Sequence, residues 1–161
     1  IGFYMNIGKS QYEINTQLLE RVLLREIEKA PDSANLYELL GDLYVEKKKY
    51  WDAINNYETA LKISPNNPHV LNNLAWILAT CEVTELQNPI KALALAKRAA
   101  ALQIASPHIL DTLAECYFVT GQYAKAVDSE IKALEMINKN EDKDYFEKQL
   151  EKYQNAEKNR D

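Results

Sequence analysis

The chain has 161 residues, 47% of them hydrophobic and 27% charged, which is enough apolar material for a packed core and argues against disorder. With only 4 Gly and 5 Pro it lacks the turns of a many-stranded β-sandwich or barrel, and its 2 Cys exclude a disulfide scaffold or a metal site of four soft thiolate ligands. Lys and Arg number 19 against 24 Asp and Glu, and the net charge of −5 argues against nucleic-acid binding, which draws its affinity from cations at phosphates.

The chain opens on Ile1 rather than Met, as a piece of a longer protein would. Ile1, Phe3, Tyr4, Met5 and Ile7 make this start apolar. It reads either as the end of a membrane span or as an ordinary first turn that packs down. No run in the chain approaches the ~20 apolar residues of a span, so no membrane-crossing segment is expected, and no secretory leader is recognisable. Two cysteines suit the cytosol or an exported domain, so the compartment stays open.

Ser10 and Glu13 have the spacing of a capping box, which predicts a helix start there. Ile14, Leu18, Leu19, Val22, Leu23 and Ile27 then recur at helical steps until Pro31 ends the helix. Asp32 and Ser33 can cap the next one. Asn67-Pro68 and Ser106-Pro107 each pair an N-cap oxygen with a proline at the first helical position, where a missing N–H costs nothing. No strand-period alternation is present.

Segments beginning at Ala34, Pro68 and Pro107 repeat one another. The first carries Tyr37, Leu40, Gly41 and Tyr44, then Ala53, Tyr57, Ala60 and Pro65. The second carries Leu71, Leu74, Ala75 and Leu78, then Ala92, Ala96 and Ala99. The third carries Leu110, Leu113, Ala114 and Tyr117, then Ala126 and Ala133, with Glu130 where the pattern wants an apolar residue. Small residues let two helices approach while large ones fill the groove beside them. Leu78 to Ala92 spans 14 positions, whereas Tyr44 to Ala53 and Tyr117 to Ala126 span 9, so the second segment has a lengthened turn near Cys81 to Pro89.

This pattern resembles the tetratricopeptide repeat (TPR) family, whose signature is W-x-x-L-G-x-x-Y followed by A-x-x-x-F and a later A and P. The resemblance implies an all-α, right-handed superhelical solenoid of antiparallel helix pairs with a C-terminal capping helix. The expected organisation is an N-terminal segment over 1–33 with a helix of a degenerate or truncated repeat, repeats over 34–67, 68–106 and 107–138, and a capping helix and tail over 139–161. In the last segment Tyr145, Phe146, Leu150 and Tyr153 share a helical stripe, expected to cover the apolar face that a solenoid leaves at its end.

No nucleophile–base–orienter set, phosphate-cradling glycine loop or metal-ligand cluster is recognisable, so an enzyme, a cofactor and a metal site are not expected. Cys81 and Cys116 read as free thiols unless the lengthened turn folds back to pair them. The resemblance implies that the first helices of successive repeats line a groove for a protein or peptide partner. Its groove positions fall here on Asn35, Glu38, Asp42, Val45 and Glu46, on His69, Asn72, Asn73, Trp76 and Thr80, and on His108, Asp111, Thr112, Glu115, Phe118 and Val119. Family members that grip acidic chaperone tails use Lys and Asn, then Asn, then Lys and Arg at clamp positions. Here those positions hold Glu38 and Asp42, then Asn73, then His108 and Thr112, which disfavours an acidic tail. Glu38, Asp42, Glu46, Asp111 and Glu115, with no Lys or Arg among the groove positions, favour a partner segment bearing Lys or Arg. Trp76 and Phe118 would contact an apolar anchor on that segment, and Asn72 and Asn73 would hydrogen-bond its backbone. The expected function is a non-catalytic interaction module, an adaptor or scaffold. Two alternatives stand beside it: a regulatory or targeting fragment of a larger enzyme or membrane-anchored protein, and a self-associating scaffold that forms homo-oligomers.

Overall fold

The computed structural model describes the backbone of residues 2–103, 106–137 and 140–159, and side chains from residue 14 onward except at 104–105, 138–142 and 160–161. Among the described residues the fold is all-α, with eight helices and a single 3-10 turn at Thr84–Leu86. The chain divides into two compact units, residues 1–65 and 66–161.

The first unit holds α1 (Gly2–Lys29), α2 (Ala34–Glu46) and α3 (Tyr50–Ile63). α1 begins eight residues before Ser10, which therefore lies inside the helix rather than at its cap. No proline interrupts residues 2–9, and a nucleated helix gains one hydrogen bond for each residue it adds. Ile1, and the side chains of the apolar start, lie outside the described residues. Leu23 of α1 packs with Leu40 and Leu43 of α2, flanked by Ile27, Leu36 and Tyr44. Glu20 of α1 accepts a hydrogen bond from the Tyr44 hydroxyl at 3.0 Å and pairs with Lys47. The hydrogen bond from Lys47 holds the Glu20 carboxyl below its usual range against the opposing effect of burial.

α2 and α3 form an antiparallel pair whose closest approach is at Gly41. A Cβ there would lie 2.6 Å from Cε1 of Tyr57, a ring that is itself fully buried on α3. Glycine is therefore what lets this ring lie against the α2 backbone. The turn between the two helices passes through Lys48 with φ 56°, and Lys49 N–H bonds Tyr44 O at 2.8 Å.

The second unit holds α4 (Pro68–Thr80), α5 (Pro89–Leu102), α6 (Pro107–Val119), α7 (Tyr123–Glu135) and α8 (Asn140–Lys158). Asn67 caps α4, its side chain accepting from the backbone of His69 and Val70. Asn88 caps α5 in the same way, accepting from Lys91 N–H. Ser33 and Ser106 occupy N-cap positions, but their side chains make no capping hydrogen bond. The helices approach through alanine: Ala75, Ala92, Ala96, Ala99, Ala114, Ala126 and Ala133 are all fully buried. α6 and α7 are joined by a turn through Gly121 at φ 73°, with Gln122 N–H bonding Tyr117 O at 2.9 Å. The α2–α3 turn bonds of Lys48 N–H to Val45 O and Lys49 N–H to Tyr44 O recur here as Gly121 N–H to Phe118 O and Gln122 N–H to Tyr117 O.

The longer α4–α5 connection closes on itself. Asn88 N–H reaches back to Leu78 O at 2.8 Å, and the Gln87 amide donates to Cys81 O at 2.9 Å. α8 then lies along α7. Phe146 packs on Leu110 and Ala133, and Tyr153 on Ala114 and Ala126, so one helix covers both α6 and α7. Cys81 and Cys116 are buried free thiols, and burial pushes the Cys116 thiol up to about 12.

Candidate functional site

In the first unit, Asn35, Glu38, Asp42 and Glu46 follow one another at three- and four-residue steps along α2 and so share a face. Asn35, Asp42 and Glu46 are exposed and Glu38 is half-buried. Asp42 accepts a hydrogen bond from the Tyr57 hydroxyl. The ring that needs Gly41 thus also fixes a carboxylate one residue further along α2.

In the second unit the positions expected to line a groove lie on α4 and α6, which pack against one another. On α4, His69 is exposed, while Asn72, Asn73 and Trp76 are half-buried. The Asn72 amide donates to Asn73 Oδ1 at 3.3 Å, and its own Oδ1 is buried without a hydrogen-bond partner.

The α6 positions are roofed by α8. Asp111, Thr112 and Glu115 are buried at 5%, 3% and 6% exposure, whereas His108 is exposed. The Tyr145 hydroxyl donates to Asp111 Oδ2 at 3.2 Å. Lys152 Nζ and the Tyr153 hydroxyl both donate to Glu115 Oε2, at 2.6 and 2.7 Å. Phe118 stands 5.3 Å from the Tyr153 ring, and Lys152 Nζ lies 4.5 Å above it. His108 makes a tilted ring contact with Phe146 at 5.8 Å. Asp111, Glu115, Phe118 and His108 of α6 therefore already hold a lysine and three aromatic side chains of the same chain.

A third acid joins them from α7. Glu130 is fully buried, and neither of its carboxylate oxygens has a conventional donor. Burial, with the charges of Asp111 and Glu115, pushes its carboxyl up to about 8. Burial likewise pushes Asp111 up to about 6, against the pull of the Tyr145 hydrogen bond. The Tyr145 hydroxyl is raised to about 12 and that of Tyr153 well up, each by burial first and by neighbouring carboxylates second. Sequence reasoning found Glu130 only as an acid at an apolar position and missed Tyr145 and Lys152 as partners. The seven-residue spacing of Tyr145 to Lys152, and of Phe146 to Tyr153, is the signal that pairs them on one helical face.

Among the described residues no group of three His, Cys, Asp or Glu is arranged to hold a metal ion. No described helix is long and apolar enough to cross a membrane.

Residues 41–79 match the family model for the TPR repeat. The fold agrees over most of the chain. It is the tetratricopeptide repeat fold. The structure of MamA superposes with a TM-score of 0.69 at 15% identity, covering 94% of each chain. The TPR domain of Sgt2 from Aspergillus fumigatus gives 0.66 at 23% identity over 78% of this chain and 79% of that one. The first TPR of Spaghetti (RPAP3), solved bound to the HSP90 peptide SRMEEVD, gives 0.64 at 22% identity over 76% of this chain and 91% of its own. No curated protein sequence matches the chain. In TPR terms, Gly41 and Tyr57 supply the small–large contact of a repeat's helix pair, and Gly121 repeats the turn that Lys48 makes.

Proposed function

We propose that this protein is a non-catalytic interaction module that recognises a segment carrying Lys or Arg beside aromatic or aliphatic anchors, through α2 in the first unit or through α4 and α6 in the second. The observation that carries the reading is the grip of α6 on α8. Glu115 holds Lys152 and Tyr153 together, and Phe118 takes the lysine over its ring and the tyrosine beside it. The chain's own helix thus displays the chemistry that the α6 face accepts. The same preference is carried by Glu38, Asp42 and Glu46 on α2, which face a partner with acids. The RPAP3 domain was solved with an acidic segment, SRMEEVD, and the acids on α2 oppose such a ligand.

A peptide array of basic, neutral and acidic segments, read at low and high salt, tests the proposal. Basic peptides with an aromatic residue are expected to bind and to weaken as salt rises. The double substitution Glu38→Lys and Glu46→Lys is expected to lower their affinity by about tenfold, or ~1.4 kcal/mol. Binding that ignores peptide charge and salt would overturn the charge preference.

Self-association is a second reading, favoured by α1. Ile14, Leu18 and Val22 form a stripe on that helix and are 56%, 57% and 48% exposed. A second copy covering this stripe would bury it. Sedimentation at two concentrations decides, since a mass that stays that of one chain excludes it.

A further inference from the structure

Three carboxyl groups, Asp111, Glu115 and Glu130, are buried where α8 meets α6 and α7, and none is more than 6% exposed. Only Glu115 has its needs met, by Lys152 and Tyr153. Asp111 takes one hydrogen bond, from Tyr145 to Oδ2, and its Oδ1 has no conventional donor. Glu130 has no donor to either oxygen, yet it lies within hydrogen-bonding reach of Asp111. Two ionised carboxylates cannot satisfy each other, because both only accept. One proton between them removes the conflict, since a protonated carboxyl donates to an ionised one.

We propose that Asp111 and Glu130 share one proton while α8 is docked, and that losing this proton as pH rises loosens α8 and uncovers the acidic face of α6. The pair is faced by Glu115 and His108 on α6 and by Tyr145, Lys152 and Tyr153 on α8. Lys152 is the one lysine or arginine among these groups, and it is committed to Glu115. A second negative charge on the pair is therefore offset only by a lysine already paired with Glu115, and the cheapest relief is to let water in beneath α8. The sign follows from the raised acids. Released α8 lets Glu130 ionise from about 4.5, whereas the docked state keeps its proton until about 8. Docking is favoured on the acid side of this window and weakens steadily across it. The device acts within the second unit and does not depend on which partner the protein binds.

Hydrogen exchange of the α8 backbone amides at pH 6 and pH 9, each corrected for the intrinsic rate at its pH, tests the proposal with the whole chain. Protection of α8 is expected to fall at least about tenfold more than that of α4, as a shift of one unit or more in one carboxyl requires. Glu130→Gln supplies a permanent donor to Asp111 and is expected to abolish the difference. Asp111→Asn removes the shared proton from the other side and serves if the first variant does not fold. In the unsubstituted protein, the side-chain carboxyl carbon of Glu130 is expected to titrate well above the ordinary glutamate range by NMR. Titration in the ordinary range, α8 protection that follows α4 at both pH values, or an equal fall in Glu130→Gln overturns the proposal.

Discussion

At the scale of single residues, two backbone positions set the helix pairs. Gly41→Ala gains about 1 kcal/mol of helix propensity but drives a methyl to 2.6 Å from the Tyr57 ring. The ring is hemmed in on α3 and held by Asp42, so strain wins. The variant is expected to unfold at lower denaturant concentration, with a net loss of about 1–3 kcal/mol. Lys48 is the opposite case. At φ 56° it pays the left-handed cost that Gly121 avoids in the equivalent turn. Lys48→Gly is expected to raise stability by about 0.5–1 kcal/mol, less than the full ~1–2 kcal/mol because glycine loses more entropy on folding. A lowered denaturation midpoint would show that Lys48 earns its place through its side chain.

At the scale of elements, α8 decides how much of α6 is exposed. Its stripe was legible in the sequence as Tyr145, Phe146, Leu150 and Tyr153, because four apolar or aromatic residues at helical spacing must be covered by something. The surface it covers was not legible, because spacing gives the face of a helix and not its neighbour. Hence Asp111 and Glu115, expected along a groove, lie beneath α8, while Asp42 and Glu46 on α2 are exposed. Phe146 is the anchor of this contact, at 1% exposure against Leu110 and Ala133. Phe146→Ala is expected to cost about 3–5 kcal/mol of α8 docking and to make α8 the first site of limited proteolysis. Cleavage at the same sites and rate as in the parent chain would show that Tyr153 alone holds the helix. α1 teaches the converse lesson. A capping-box spacing at Ser10 does not start a helix when nothing upstream stops one.

At the scale of the whole molecule, two kinds of acid oppose each other in their response to pH. Glu20, held low by the hydrogen bond from Lys47, adds stability above the ordinary glutamate range and loses it as pH falls through its depressed value. Asp111 and Glu130, raised to about 6 and about 8, cost stability progressively as pH rises from about 4 to 8. Maximum stability is therefore expected on the mildly acidic side of neutrality. Thermal unfolding from pH 4 to pH 9 checks this, and a maximum at or above pH 8 would contradict it. The all-α architecture was legible because Asn67-Pro68 and the small–large alternation at Gly41, Ala75 and Ala114 state helix starts and helix contacts directly. Glu130 resisted reading because one charged residue at an apolar position does not reveal which carboxyl it will meet.

The connection between α4 and α5 has a practical consequence. Its ends are tied by Asn88 N–H to Leu78 O and by Gln87 to Cys81 O, while Glu82, Val83, Thr84 and Glu85 stand exposed. The clasp is made by residues on either side of the tip, so lengthening the tip leaves it closed and gives up only the local bonds to Val83 O from Leu86 N–H and the Cys81 thiol. Doubling a loop's length adds only about 0.6 kcal/mol of closure entropy. An epitope tag or a reporter fluorophore spliced between Glu82 and Thr84 would ride on the outside of the helix pair, which makes this turn the natural handle for immobilising the protein while the faces of α2 and α6 are assayed.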